Sequence, residues 1–260
     1  MANNRINRLF QEKKGNLLNV YFTAGFPNLQ DTTLILEELE KSGADLVEIG
    51  IPFSDPLADG PTIQASNQVA LENGMTLKLL FEQLKDIRQK VSLPIILMGY
   101  LNPVMQFGFE RFCQVAAQVG VDGFILPDLP FQEYEEEYKP ILEKYGIKLI
   151  FLITPQTSED RIRQIDALSD AFIYMVSSAS TTGSQVKTND GQQTYFTRVQ
   201  QMNLKNPTLI GFGISDKQSF ELACQSANGA IIGSAFIKAL QQPAAELRQN
   251  VRQFLQQIKA

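Results

Sequence analysis

Ala44-Asp-Leu-Val-Glu-Ile-Gly-Ile-Pro-Phe-Ser-Asp-Pro-Leu-Ala-Asp-Gly-Pro61 is the stretch that decides the fold of this chain. It opens as an apolar run and enters, without polar alternation, a loop crowded with Pro52, Pro56, Gly60 and Pro61. An apolar run of this kind suits a strand covered on both faces, as in a parallel sheet. Helical patterning follows from Thr62. The local unit is therefore strand, loop, helix, with a strand predicted over 45–49 and a helix over 62–72.

The unit recurs along the chain. Strands are predicted over 17–23, 94–98, 123–126, 148–153, 171–176, 208–211 and 229–232. Between and after them come amphipathic stretches over 32–42, 77–91, 109–119, 133–145, 158–168, 192–202, 217–225 and 244–258, and a short amphipathic helix over 5–13 precedes them all. Eight such units in about 250 residues point to an α/β fold, a (β/α)8 TIM barrel with an extra N-terminal helix, spanning 1–260 as a single domain. A doubly wound open sheet is the runner-up. Its G-x-G-x-x-G fingerprint after the first strand is missing here.

Composition narrows the function. The chain has 260 residues, is 44% hydrophobic and carries a net charge of −5. Mild acidity argues against nucleic acid and against an anionic membrane as partner. No window approaches the ~18 apolar residues of a membrane span. The N-terminal residues lack the apolar core of a signal peptide and are too few for a transit peptide, so the cytoplasm or a plastid stroma is expected. Cys113 and Cys224 lie in helical, apolar contexts and are expected to be buried free thiols in a reducing compartment.

The chain contains no histidine. Acid–base chemistry near neutral pH must then come from carboxylates, Tyr, Lys or Cys with displaced pKa values. Glu48 near the end of a buried strand and Asp59 in a rigid Pro/Gly loop are the first candidates. Apolar neighbours along the chain, Val47, Ile49 and Ile51, are expected to bury Glu48 and raise its pKa. Asp55 and Asp128 have an ordinary explanation as turn formers.

In such a barrel the active site gathers at the carboxyl ends of the strands. Tyr21, Tyr100, Asn102, Asp128, Pro130 and Tyr174 fall there, with Thr182-Gly183 in the loop after the sixth strand. The last two strands end in Gly211-Phe-Gly213 and Gly233-Ser234. Glycines there let the backbone approach an anion, and a helix over 234–240 with Ser234 as its cap would add N–H donors for a phosphate. Taken singly, each glycine could be an ordinary turn; their joint placement favours a phosphate site.

Glu48-Ile-Gly-Ile-Pro-Phe-Ser-Asp-Pro-Leu-Ala-Asp-Gly-Pro-Thr-Ile-Gln64 resembles the signature of the tryptophan synthase alpha subunit family. The resemblance extends over nearly the whole chain, through Gly211-Phe-Gly-Ile-Ser215 and Gly233-Ser-Ala235. It implies a (β/α)8 barrel that cleaves indole-3-glycerol phosphate to indole and glyceraldehyde 3-phosphate, as part of an α2β2 heterotetramer with the beta subunit and with no cofactor or metal of its own. It implies that Glu48 and Asp59 are the catalytic acids and that Tyr174 stands beside the substrate. Thr182 would orient the aspartate, and Gly183, Gly213, Gly233 and Ser234 would bind phosphate. Asp55, Asn102, Asp128 and Pro130 would face the beta subunit. Tyr21, Phe212 and Ile63 would form the floor under the indole. Two other readings stay open at this stage: a stand-alone lyase releasing free indole, and a silent module that only activates a beta subunit. The presence of both acids argues against the second.

The sixth loop departs from the family pattern, Ser-Arg-x-Gly-Val-Thr-Gly. Here it runs Ser177-Ser-Ala-Ser-Thr-Thr-Gly183, with Ser180 in place of the glycine hinge and Thr181 in place of the valine. Losing glycine removes access to unusual backbone angles. Activity is expected to persist with altered loop closure. Limited proteolysis should show protection of this loop by a glycerol-phosphate ligand; equal cleavage with and without it would count against a ligand-closed loop.

Overall fold

The computed structural model describes residues 4–56, 59–177, 190–211, 213–242 and 246–259. Its strands are β1 (Leu17–Thr23), β2 (Leu46–Gly50), β3 (Ile95–Met98), β4 (Gly123–Ile125), β5 (Lys148–Leu149), β6 (Phe151–Ile153), β7 (Ile173–Val176), β8 (Thr208–Gly211) and β9 (Gly229–Ile232). All neighbours pair in parallel, in the order β5-β4-β3-β2-β1-β9-β8-β7-β6. The two end strands are consecutive in the chain, separated only by Ile150, whose N–H donates to the Phe124 carbonyl at 2.9 Å. The sequence predicts one strand over 148–153. The structure gives two short ladders because the first half pairs with β4 and the second with β7. That one segment joins both edges of the sheet and closes an eight-pass barrel.

Side chains alternate between the two faces of each strand. Leu17, Leu46, Ile96, Ile125, Ile150, Phe172, Leu209 and Ile231 form one buried cluster inside the barrel. Val20, Phe22, Val47, Ile49 and Leu97 join a second, larger cluster between the sheet and the helices. The N-terminal helix, Arg5–Glu12, puts Ile6 and Phe10 into the inner cluster. The Phe10 and Phe172 rings lie 5.6 Å apart. Most inner partners of this helix sit at or just before strand starts, so it plugs the amino end of the barrel.

Polar groups secure the plug. Asp122, buried just before β4, takes Arg5 at 3.0 Å and Arg88 at 2.7 Å. Arg88 also donates to the carbonyls of Gly120 and Leu93. Asn4 donates to the carbonyls of Asp122 and Gly146. A buried carboxylate is tolerable only with such partners. With the amino end filled and braced, the interior of the carboxyl half is left for polar residues.

Three helices differ from expectation. The stretch over 77–91 stops at Leu84 and resumes as a 3₁₀ turn, Ile87–Gln89, which carries the inward-reaching Arg88. The stretch over 133–145 starts at Phe131 and contains a π turn, Tyr134–Tyr138. Pro140 follows two residues later; it has no N–H to continue an α-helical ladder, and the wider turn absorbs the break. A helix not foreseen in the sequence, Leu101–Phe107, precedes Phe109–Val119. Pro103 sits in its first turn, where no N–H is needed. The Leu101 N–H is instead taken by both oxygens of Asp128, at 2.9 and 3.0 Å.

Gly229 marks a close strand contact that has no give. A Cβ there would lie 2.1 Å from the Leu17 carbonyl oxygen, a backbone atom that cannot swing aside. Gly229→Ala should destabilise the fold by about 2–3 kcal/mol, read as a lower urea midpoint with unchanged m-value.

Candidate active site

Glu48 is the third residue of β2 and lies opposite Tyr21 of β1 in the parallel register. It is completely buried. The sequence attributed this burial to Val47, Ile49 and Ile51. The structure corrects that reason: Val47 and Ile49 belong to the cluster on the helix side, whereas Glu48 projects into the barrel beside Asn19. Its Oε1 accepts from Asn19 Nδ2 at 2.5 Å, and its Oε2 has no hydrogen-bond partner among the described residues. Burial pushes the carboxyl up to about 8, against the opposing pull of the Asn19 bond.

Asp59 stands just before the helix Pro61–Glu72, whose N-cap is Gly60. Two residues of that helix hold it. Asn67 Nδ2 donates to Oδ2 at 3.3 Å, and Gln64 Nε2 donates to the Asp59 carbonyl at 2.7 Å. Burial pushes its carboxyl up to about 6, again opposed by the hydrogen bond. The two acids thus straddle neutrality, with Glu48 the more proton-retentive.

Tyr21 and Tyr174 face the same space. Burial raises both pKa values, and the charges of both Glu48 and Asp59 raise them further, so the two tyrosines stay neutral. Each hydroxyl occupies the room that a neighbouring strand gives up. A Cβ on Gly50 of β2 would fall 2.1 Å from the Tyr21 oxygen, and one on Gly211 of β8 would fall 2.1 Å from the Tyr174 oxygen. Both glycines are needed for close approach. Tyr100, also buried, packs its ring 5.4 Å from that of Phe53 in the acidic loop, tilted by 34°. Ile63 is buried on the helix that follows Asp59.

The glycines after β8 and β9 sit at turns. Gly213 has φ +79, in the left-handed region that favours glycine. Gly233 is the N-cap of the helix Ser234–Leu240. Ser234 was expected to cap that helix; it is instead the first helical residue, and no side chain caps the end. Thr182, Gly183 and Phe212 lie outside the described residues, as do Ser180 and Thr181.

The remaining candidates lie on loops and helix starts. Asp55 is exposed and accepts from Ser54 Oγ at 2.5 Å. Asn102 accepts from Gln106 at 2.8 Å in the first turn of Leu101–Phe107. Asp128 ties the loop after β4 to that helix, a structural task beyond the turn former expected of it. Pro130 is exposed at the start of Phe131–Glu133. The thiols are free; Cys113 is buried, whereas Cys224 is only half-buried. Burial pushes Cys113 up to about 12 and Cys224 up to about 11, so neither is a thiolate near neutral pH.

Three contributors escaped the sequence. Asn19 was passed over inside a strand that is otherwise mostly apolar; an amide at a fully buried position was the available signal. Gly50 was read as part of a motif and not as room for a tyrosine. Asn67 shows nothing in sequence that sets it apart from an exposed helix position.

A parallel barrel that sets a buried acid of raised pKa and two neutral tyrosines in the carboxyl half of its interior, with a second acid of raised pKa in the loop above, has the construction of a (β/α)8-barrel enzyme working by general acid–base chemistry. The family described as tryptophan synthase alpha chain matches residues 6–260. The tryptophan synthase alpha chain of Flavobacterium johnsoniae is 56% identical over 98% of this chain and 100% of the relative. That of Flavobacterium psychrophilum is 60% identical over 91% of this chain and 93% of the relative. A chain from the crystal structure of the tryptophan synthase complex of Pyrococcus furiosus superposes with a TM-score of 0.85, at 34% identity, over 95% of this chain and 99% of that one. The chain belongs to the tryptophan synthase alpha chain family.

Holding Glu48 in this position costs stability. Its folded pKa lies above the ordinary carboxyl value, so the folded state binds the extra proton between the two values. Stability from this group is therefore lost as pH rises toward 8, the reverse of the usual carboxylate case. Glu48→Gln should unfold at a higher temperature than the parent protein at about pH 9, with the gap shrinking below about pH 5; differential scanning calorimetry at both values checks this.

Proposed function

We propose that Glu48 and Asp59 divide the acid–base work of the reaction that defines this family: retro-aldol cleavage of indole-3-glycerol phosphate to indole and glyceraldehyde 3-phosphate in tryptophan biosynthesis. The observation that carries the assignment is the split of their pKa values about neutrality, about 8 for Glu48 and about 6 for Asp59. At neutral pH the first is mostly a carboxylic acid and the second mostly a carboxylate.

The chemistry needs both forms. Glu48 donates its proton to indole C3, which breaks the aromaticity of the pyrrole ring and leaves positive charge at the ring N–H. The Asp59 carboxylate accepts a hydrogen bond from that N–H and stabilises the charge. Glu48, now ionised, takes the proton of the hydroxyl on the adjacent side-chain carbon. As that O–H breaks, the carbonyl of the aldehyde forms, the carbon–carbon bond to C3 breaks, and its electron pair restores the indole. Glu48 ends protonated, so the cycle has no net proton cost. Its Oε2, free of any described partner, is the oxygen available to the substrate.

Tyr174 and Tyr21 line this space as neutral phenols, and Tyr21, Ile63 and Phe212 are assigned to the indole floor. Gly213, Gly233 and Ser234, with Gly183 and Thr182, are assigned to the phosphate. Gly213 has the positive φ that lets backbone N–H groups converge, and no cation or cofactor is required. The whole of 1–260 is taken as one barrel domain.

The partner is assigned as the tryptophan synthase beta subunit in an α2β2 heterotetramer, docked over Asp55, Asn102, Asp128 and Pro130. Met105, on the same helix as Asn102, is among the few large apolar side chains left exposed in the described residues, which supports a covered face there. No described helix is long and apolar enough to cross a membrane. The free thiols fit a reducing compartment, the cytoplasm or a plastid stroma.

The test is indole release from indole-3-glycerol phosphate by the purified chain, with and without beta subunit. The pH profile of kcat/KM should rise through about 6 as Asp59 ionises and fall through about 8 as Glu48 loses its proton. Glu48→Gln should lose roughly 10²–10⁴-fold. Asp59→Asn should lose roughly 10²–10³-fold and its profile should lack the acid limb. Unchanged cleavage by Glu48→Gln would sink the mechanism and favour a module that acts only through the beta subunit.

A further inference from the structure

Asn19 has no assigned task, yet it makes the only described hydrogen bond to the Glu48 carboxyl group. It is the third residue of β1, fully buried, and paired in register with Leu46 on one side and Ile231 on the other. Its own side of the strand holds Leu17 below and Tyr21 above. An amide in such surroundings is costly unless its hydrogen bonds repay the lost hydration. Only one of its polar atoms is repaid. Nδ2 donates to Glu48 Oε1 at 2.5 Å, while Oδ1 is buried without a partner among the described residues.

This half-satisfied amide matches the chemistry of its neighbour. In the reaction assigned above, Glu48 alternates between acid and carboxylate. A carboxylate only accepts hydrogen bonds; a carboxylic acid also has one to donate. A cationic partner would suit the first form and oppose the second. An amide suits both, because its N–H can donate to Oε1 whether that oxygen belongs to a carboxylate or is the carbonyl oxygen of the acid. The other groups facing Glu48 do not compete for the role. Tyr21 and Tyr174 are neutral, β3 opposes it with Ile96, and Asp59 stands in the loop above.

We propose that Asn19 is the positioning residue of Glu48 in both protonation states: its Nδ2 donates to Oε1 of the carboxylate and equally to Oε1 as the carbonyl oxygen of the acid, so that the exchangeable proton is carried on Oε2, the oxygen open to the substrate. This inference rests on the acid–base role given to Glu48. It assigns to β1 a share in the reaction besides Tyr21, and it explains why an amide is kept in the inner layer of the barrel. The Asn19 bond also favours the ionised carboxyl, so it keeps burial from locking Glu48 in its acid form.

The test uses Asn19→Leu, which is similar in size and should fold well in an apolar layer, with Glu48→Gln as control. The full chain is assayed for indole release across pH. Infrared difference spectra of the Glu48 carboxyl bands, assigned by their loss in Glu48→Gln, are followed over the same range. Asn19→Leu should lower kcat roughly 10- to 100-fold with KM little changed. It should move the alkaline limb and the Glu48 titration upward by about 1 pH unit. Both the protonated and the ionised band should shift in frequency. If only the ionised band shifts, the two-state role is overturned. If kcat, profile and bands all stay as in the parent while Glu48→Gln is inactive, the positioning role is overturned and the Glu48 mechanism stands. If Glu48→Gln itself remains active, the mechanism fails and this inference with it.

Discussion

The site depends on one constraint: a carboxyl group held inside the barrel with no cation beside it among the described residues. Everything near Glu48 is arranged to tolerate that. Its described hydrogen-bond partner is an amide, its titratable neighbours are phenols that stay neutral, and the acid Asp59 stands outside the strand layer. A lysine or arginine in the same place would make Glu48 a permanent carboxylate and remove the proton that the proposed mechanism asks it to give. The cost is folding stability that falls as pH rises, and such a cost is common where a group is kept for chemistry.

The rest of the barrel offsets that cost at its other end. The amino half of the interior is filled with Leu, Ile and Phe side chains and sealed by Ile6 and Phe10. A buried ion-pair cluster is placed there too, with Asp122 between Arg5 and Arg88. Asp122 near the base is matched and braced, whereas Glu48 and Asp59 near the mouth have no cation beside them among the described residues. The same strands thus carry packing in their first residues and chemistry in their later ones, as their parallel direction requires. Gly50 and Gly211 show how fine the fit is, since each gives up a side chain so that a tyrosine from the next strand can lean over it.

Much of this was legible in the sequence, for identifiable reasons. The apolar runs of β1 and β2 and the amphipathic stretches between strands report burial on both faces and on one face respectively, and these follow from local pattern. The acids announced themselves because Glu48 interrupts an apolar run and Asp59 lies in a loop of restricted residues. The helix Leu101–Phe107 was missed because Pro103 reads as a breaker unless its place in the first turn is known. The split of the fifth strand could not be seen, because it reflects which neighbour each half pairs with. The capping role given to Ser234 was off by one residue, the ordinary uncertainty of a helix end.

The sequence by itself determined the succession of strands and helices and the absence of histidine, and therefore that any acid–base work near neutral pH falls to carboxylates, Tyr, Lys or Cys. Those are properties of residue type and spacing along the chain. Only the tertiary structure decided which direction Glu48 faces, that Asn19 from another strand is its partner, and that Asn67 steadies Asp59 from a helix. The reason is physical: a pKa depends on what surrounds a group in space. Asn19 and Glu48 are separated along the chain and come together only because β1 and β2 run side by side in one register.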